Sequence, residues 1–256
     1  SSAHALLLTG PIGIGLATLA AHLAKRGGRI LTVVAPEAKT SKSLAAISVE
    51  RVRQLYVETR ARLDGDHFVI IDDADAMNHA AQNALLKLLE EPNPSIRFIL
   101  TSHAPDKLLP TIRSRAQTFA VPSIDAVESR RLLKSLGVTD RTDEQRLLYV
   151  AEGLPAELHR LSQNESDFRA LSERVRTARQ FIEGTAYQRL TLTLMLGEDR
   201  KGALSLIETI VLLLKRSLVS APDRQTAALI DRLVDASDAI RVNGHIRLHL
   251  SAAVVQ

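Results

Sequence analysis

The chain contains no cysteine among its 256 residues. Disulfide bonds and thiolate zinc sites are therefore excluded, and we expect an intracellular protein without zinc. Aromatic residues make up only 3% of the chain. This scarcity argues against a protein that recognises nucleic acid by stacking bases on aromatic rings.

Long uncharged apolar runs are also missing. The most apolar window, Leu204–Val219, is interrupted by Glu208, Lys215 and Arg216, which predicts a core helix and not a membrane span. The apolar run Ala5–Leu8 is too short for the core of a signal peptide. We therefore expect a cytoplasmic protein with no membrane partner.

The charge balance is mildly basic. Lys and Arg number 33 against 29 Asp and Glu, a net charge of +4, which is compatible with a nucleic-acid neighbour but does not require one. A group of basic residues in the first quarter of the chain could approach DNA phosphates, although a solvated helix face is the simpler interpretation. The group comprises Lys39, Lys42, Arg51, Arg53, Arg60 and Arg62.

Strand and helix patterns alternate up to about residue 122, which predicts an α/β domain with a parallel sheet and helices on both faces. The predicted strands are 4–9, 29–34, 68–71, 96–100 and 117–121; the predicted helices are 16–26, 48–63 and 78–90. The remaining sequence has only helical patterns. We predict an α/β domain at 1–122, a small helical domain at 123–164 and a helical C-terminal domain at 165–256.

The stretch GPIGIGLAT, residues 10–18, follows the first strand and precedes a helix, which is the layout of a phosphate-binding loop. Gly10, Gly13 and Gly15 are suitably placed, with Gly10 and Gly15 at the Walker A spacing. Leu16 and Ala17 stand where such a loop carries Lys and Ser or Thr, so neither the charge for the phosphates nor the hydroxyl for Mg²⁺ is supplied. A degenerate site with loose binding of phosphate or ADP and a plain glycine turn both remain open.

An acidic turn follows the apolar run of the third strand. Asp72 and Asp73 lie just beyond its carboxyl end, which is the ligand-binding side of an open α/β sheet. Asp72 is placed like a Walker B aspartate and Asp73 like the neighbouring water-activating acid. The alternative is that both acids only terminate a strand. With the glycine loop upstream, we favour a degenerate nucleotide site.

Three further segments extend the pattern: AQNALLKLLEEP at 81–92, FILTS at 98–102 and PDKLLPTIRSR at 105–115. In this order, over about residues 4–162, the chain resembles the clamp-loader branch of the AAA+ family, and within it the delta-prime group of bacterial DNA polymerase III. One detail is unusual: Glu90 and Glu91 lie at the C-terminal end of the helix in the first segment, where the helix dipole disfavours negative charge.

The resemblance implies a subunit of a ring that opens a sliding clamp and loads it onto primer–template DNA. Its partners would be gamma/tau-type ATPase and delta subunits, and the helical C-terminal domain would form an oligomeric collar. ATP sits between subunits of such rings, and a Ser-Arg-Cys motif of one subunit reaches the ATP of its neighbour. Here the motif is Ser114-Arg115-Ala116. Arg115 would be the arginine finger.

Other positions depart from the pattern of a working ATPase. Ala156 occupies the place of the sensor arginine of the small helical domain, and Asn93 replaces the second proline of Glu-Glu-Pro-Pro. Sensor-1 polarity is retained in Thr101 or Ser102. These features predict a subunit that does not hydrolyse ATP itself but completes a neighbour's site. The alternatives are a gamma/tau-like ATPase with an unorthodox loop, and a scaffold with neither role.

Overall fold

A computed structural model describes residues 4–38, 45–60, 64–195, 199–242 and 244–255, apart from the side chains of residues 216, 219, 220 and 255. The chain forms two compact units, Ser1–Gln163 and Asn164–Gln256. The division into three domains at residues 122 and 164 stays a prediction.

The first unit is built on a five-stranded sheet in the order β2-β3-β4-β1-β5. Every neighbouring pair is parallel, so the predicted α/β class is confirmed. The strands are β1 (Ala5–Thr9), β2 (Arg29–Val34), β3 (His67–Ile71), β4 (Ile96–Ser102) and β5 (Gln117–Ala120).

Helices cover both faces of this sheet, because its inner strands are apolar on both sides. On one face Leu8 and Ile70 pack with Leu16 and Ala20 of α1 (Leu16–Gly27). On the other face Leu7 packs with residues of α2 (Val49–Glu58), α3 (His79–Glu90) and α4 (Pro110–Arg115). Side chains of neighbouring residues in β1 therefore enter different halves of the core.

Helix α2 is shorter than predicted. The Ser48 side chain caps it as expected, but it ends at Glu58, whereas we predicted an end at Leu63, which lies outside the described residues. The carbonyl of Thr59, which a continuing helix would bond to a residue four positions later, instead accepts the Asn93 side-chain amide at 2.9 Å. Asn93, where the resemblance predicts a second proline, therefore forms a hydrogen bond just beyond the end of α2.

The rest of the first unit is helical, with α5 (Ala126–Ser135), α6 (Arg141–Ala151) and α7 (Pro155–Gln163). The second unit is also helical and buries its own apolar core. Its helices are α8 (Glu165–Glu183), α9 (Ala186–Met195), α10 (Arg200–Ser220), α11 (Arg224–Arg241) and α12 (Ile246–Val255). Among the described residues, no helix combines the length and the apolar character that a membrane crossing needs.

Candidate functional site

The parallel sheet brings the predicted nucleotide-site residues to one edge. The glycine loop follows β1, the acidic turn follows β3 and Thr101 lies near the end of β4. Carboxyl ends of parallel strands meet at the same edge, which is where ligands bind in open α/β folds. The predicted site residues therefore lie at the same edge, and what they can do chemically depends on what they contact.

The glycine loop has a conformation that needs glycine. Gly13 and Gly15 have φ of 86° and 95°, in the left-handed region that side chains disfavour. Leu16, at the lysine position, is 2% exposed and belongs to the apolar core. Ala17 is exposed and carries no hydroxyl. Leu16 therefore packs in the core, and its side chain is not available to a ligand.

Helix α7 begins directly on this loop. The Gly13 carbonyl accepts hydrogen bonds from the backbone N–H groups of Ala156 at 3.0 Å and Glu157 at 3.1 Å. A Cβ added at Gly13 would lie 2.9 Å from Cβ of Glu157, and one added at Gly15 would lie 3.3 Å from Cβ of Ala156. The first N–H groups of a helix have no partner within the helix. The loop therefore accepts hydrogen bonds from two of these groups in α7.

This contact reverses the use of a phosphate loop. Such a loop offers N–H groups to an anion, whereas here a carbonyl of Gly13 is offered to the positive end of a helix. Ala156, which we predicted at the place of the sensor arginine, lies at this contact. With Leu16 and Ala17 supplying neither charge nor hydroxyl, the residues present do not fit ATP with Mg²⁺. Among the described residues, no group of three His, Asp or Glu is arranged to hold a metal ion.

The acidic turn is tied to β4 through Thr101. The Thr101 hydroxyl donates to Oδ1 of Asp72 at 2.7 Å and accepts the backbone N–H of Asp73 at 2.9 Å. Thr101 is fully buried. The other sensor candidate, Ser102, uses its hydroxyl oxygen to accept the N–H of Ala104 at 3.2 Å. Of the two predicted positions, Thr101 is the one that the structure joins to the acidic turn.

Sequence analysis missed His103, which links the acidic turn to the glycine loop. Its Nδ1 lies 2.8 Å from the carbonyl of Gly10, and its Nε2 lies 3.5 Å from Oδ1 of Asp73. A carbonyl only accepts, so Nδ1 carries a proton. Its position just after β4 was a usable signal, because parallel strands gather such residues at one edge.

Burial, and then repulsion from the carboxylate of Asp72, raise the pKa of Asp73 above its usual range, while His103 acts in the opposite direction. Asp73 also has a φ of 47°, a left-handed conformation that Asp tolerates better than most residues. The acidic turn is therefore a place where the folded chain retains electrostatic and backbone strain.

Arg115 lies at the opposite edge of the sheet. It is the last residue of α4, and Ala116 alone separates it from β5, whose Gln117 pairs with Leu6 of β1. The glycine loop follows the other end of β1. Since a strand rises about 3.3 Å per residue, the two sites are separated by about 15–20 Å along the strands. Arg115 is therefore remote from the glycine loop of its own chain.

The side chain of Arg115 is held on two sides. Its Nη2 lies 2.8 Å from Oε1 of Glu90, and its Nη1 donates to the carbonyl of Thr111 at 3.2 Å. The Ser114 hydroxyl donates to the same carbonyl at 3.1 Å. Ala116, where the family has Cys, is 9% exposed and packs into the core of the sheet. A small apolar side chain is thus accommodated at that position.

The basic group of the first quarter is only partly described. Lys39, Lys42 and Arg62 lie outside the described residues. Arg51 is engaged with Glu58 at 2.8 Å and with the Thr32 hydroxyl. The remaining members, Arg53 and Arg60, are exposed. A surface role toward DNA stays a prediction.

Known proteins match this chain in sequence. A family model described as DNA polymerase III, delta subunit, matches residues 29–125. The delta-prime subunit of DNA polymerase III from Pseudomonas aeruginosa is 37% identical over 187 residues, or 62% of this chain and 56% of that protein. The Escherichia coli delta-prime subunit is 42% identical over 84 residues. Over these stretches the chain is similar to delta-prime subunits of DNA polymerase III.

The sequence matches cover only part of the length of each relative. The matched region spans about half of the Pseudomonas protein and 25% of the Escherichia coli protein. DNA polymerase III subunit tau of Salmonella typhimurium is 28% identical over 152 residues, 24% of its length. A solved gamma-subunit-related protein from Thermotoga maritima aligns with 98% of this chain and 92% of its own, at 17% identity and a TM-score of 0.46, too low to support any conclusion.

The first unit has the α/β architecture that we predicted: a parallel sheet, helices on both faces and a glycine loop after β1. A helical part follows it, also as predicted.

Because α7 contacts the loop, we predict that alanine substitution destabilises the chain more at Gly13 than at Gly137, although the two glycines have the same backbone conformation. Gly13→Ala and Gly137→Ala both place a Cβ at a φ near 85°, which costs about 1–2 kcal/mol. Only at Gly13 does the added carbon meet a neighbour, since Gly137 has nothing within 4 Å. In urea denaturation, Gly13→Ala should lose clearly more stability. Equal losses would contradict a tight contact between loop and helix.

Asp73→Asn should stabilise the folded chain, and the gain should grow with pH. The raised pKa of Asp73 means that the folded state prefers the neutral carboxyl. The wild type therefore loses stability as pH rises from about 3.9, the ordinary Asp value, through the raised folded value. Because the Asp73 side chain is 43% exposed, solvent screening should keep the gain small at neutral pH, and we expect no gain well below the ordinary value.

The measurement is urea denaturation over a pH series, with Asp64→Asn, a change at an exposed position, as the control. A gain for Asp73→Asn that does not depend on pH would show that charge at this position is not the cause.

Proposed function

We propose that this chain is a non-hydrolysing, delta-prime-type subunit of a bacterial clamp loader, which helps to load the sliding clamp onto primer–template DNA. Its Arg115 acts in trans on ATP bound by a neighbouring gamma/tau-type ATPase subunit. The Pseudomonas and Escherichia coli relatives are named delta-prime subunits, and the Salmonella relative is named tau. A cytoplasmic location and a collar role for residues 165–256 belong to the same proposal.

The observation that carries the proposal is the separation of Arg115 from the glycine loop of the same chain. A guanidinium at the amino edge of the sheet is too far from the loop at the carboxyl edge to serve a phosphate there. In a ring, however, the amino edge of one subunit can face the carboxyl edge of the next. Arginine supplies permanent charge and a planar fork of donors, which suit a phosphate in that position.

The contacts at the carboxyl edge of the sheet support the proposal that the chain does not hydrolyse ATP. Leu16 is buried in the core, Ala17 has no hydroxyl, and α7 is bonded to the Gly13 carbonyl. Any nucleotide would have to displace these contacts without the lysine that usually binds the β- and γ-phosphates. The loop is therefore expected to be structural, and the loose phosphate or ADP binding that we considered becomes less favourable.

A titration of the purified chain with a fluorescent ATP analogue and Mg²⁺ tests this half of the proposal. We expect no saturable binding in the micromolar range and no steady-state ATPase activity, while a gamma/tau-type subunit measured in parallel binds and hydrolyses. Micromolar binding with turnover would contradict the proposal and favour the gamma/tau-like ATPase that we considered as the alternative.

Arg115→Ala in the reconstituted loader tests the other half. An arginine finger contributes about 10³–10⁵ in kcat where it has been measured in GTPases, so the ATP site facing Arg115 should lose most of its turnover. Sites served by other subunits keep theirs, so the total DNA-stimulated ATPase rate should fall by a fraction. The complex should still assemble, as checked by gel filtration.

Arg113→Ala is the matched control for this variant. Arg113 lies on the same helix, its side chain is 39% exposed against 38% for Arg115, and it also pairs with a carboxylate, that of Asp106. The control should leave the ATPase rate unchanged. If Arg115→Ala behaves like Arg113→Ala, the finger assignment is wrong.

A further inference from the structure

Glu90 lies at a position in its helix that is unfavourable for a negative charge. It is the last residue of α3, where a negative charge meets the negative end of the helix dipole. Its carboxylate lies 2.8 Å from Nη2 of Arg115, and both side chains are partly exposed, at 46% and 38%. An ion pair in such a setting contributes little to stability. Its main physical consequence is the orientation of the guanidinium.

Two contacts in different directions fix that orientation. Glu90 binds one terminal nitrogen of Arg115, and the Thr111 carbonyl accepts a hydrogen bond from the other. A guanidinium is planar, so two such contacts define its plane. It has five N–H donors, and these contacts engage one on each terminal nitrogen, which leaves donors for a phosphate.

The same helix also holds the beginning of α4. Gln82 of α3 is 4% exposed, accepts the backbone N–H of Leu109 at 2.7 Å and donates to the carbonyl of Lys107 at 3.0 Å. Leu109 precedes the first residue of α4, and Arg115 is the last residue of that helix. Helix α3 therefore holds α4 at its start through Gln82 and at its end through Glu90.

We propose that Glu90 is a positioning residue for Arg115: its carboxylate holds the guanidinium in the orientation in which the finger meets the phosphate of a neighbouring subunit. This inference rests on the proposed trans role of Arg115. Glu90 does not itself touch the nucleotide. Its effect passes entirely through Arg115, and this distinguishes it from a residue that only stabilises the fold.

A double-mutant cycle in the reconstituted loader tests this dependence. Glu90→Gln keeps the size of the side chain and an acceptor oxygen but removes the charge. We expect it to lower the kcat of DNA-stimulated ATPase severalfold at the affected site, with little change in the KM for ATP. In the Arg115→Ala background, Glu90→Gln should have no further effect.

Glu91→Gln is the matched control, because Glu91 directly follows Glu90 at the same end of α3 and is exposed. It should leave kcat unchanged. A wild-type rate for Glu90→Gln, a higher rate, or an equal loss in the Arg115→Ala background would each overturn the positioning role. Thermal denaturation of each variant identifies any loss that is due to unfolding.

A second measurement does not depend on ATPase at all. In the chain labelled with ¹⁵N-arginine, the ion pair should slow rotation of the Arg115 guanidinium, so its terminal nitrogens should give separate NMR signals at low temperature. Glu90→Gln should merge them and leave Arg113 unchanged. If the Arg115 signals do not change, Glu90 does not orient the finger. If the Arg115 signals merge in Glu90→Gln but Arg115→Ala leaves the ATPase rate unchanged, Arg115 is not an arginine finger in trans, although Glu90 still orients its guanidinium.

Discussion

The parallel direction of all five strands is the constraint on which the rest of the first unit depends. It gathers the glycine loop, the acidic turn, Thr101 and His103 at one edge, and it leaves the end of α3 and Arg115 at the other. A sheet of this kind has two chemically different edges on one rigid body. A protein that assembles in a ring can then present one edge to each neighbour, without any movement inside its own sheet.

The two edges of the sheet differ in what their residues contact. At the carboxyl edge, the groups that would act on phosphate are missing, and their space is used for packing: Leu16 joins the core and Gly13 receives the first turn of α7. At the amino edge, Arg115 keeps its charge and is held by Glu90 and Thr111. Loss on one side and retention on the other are what a subunit needs if it serves only its neighbour's ATP.

The fold was largely predictable from sequence because strand and helix periodicities are strong in this chain. The end of α2 was not, and the hydrogen bond just beyond it joins Thr59 to Asn93, residues far apart in sequence. The approximate positions of the glycine loop, Asp72 and Arg115 followed from motif order. The Glu90–Arg115 pair could not be found that way, because it joins segments that only the tertiary structure brings together. For His103, the one available signal was its position just after β4.

The contact between Gly13 and α7 has a consequence for how glycine motifs are understood. A position that must accept a helix at van der Waals distance with a φ of 86° excludes side chains as firmly as a position that must accept a phosphate. Packing alone can therefore require glycine at such a position, without any nucleotide. A glycine at such a position shows that something approaches the backbone closely. The residues beside the glycine show whether that contact is with a ligand or with another part of the protein.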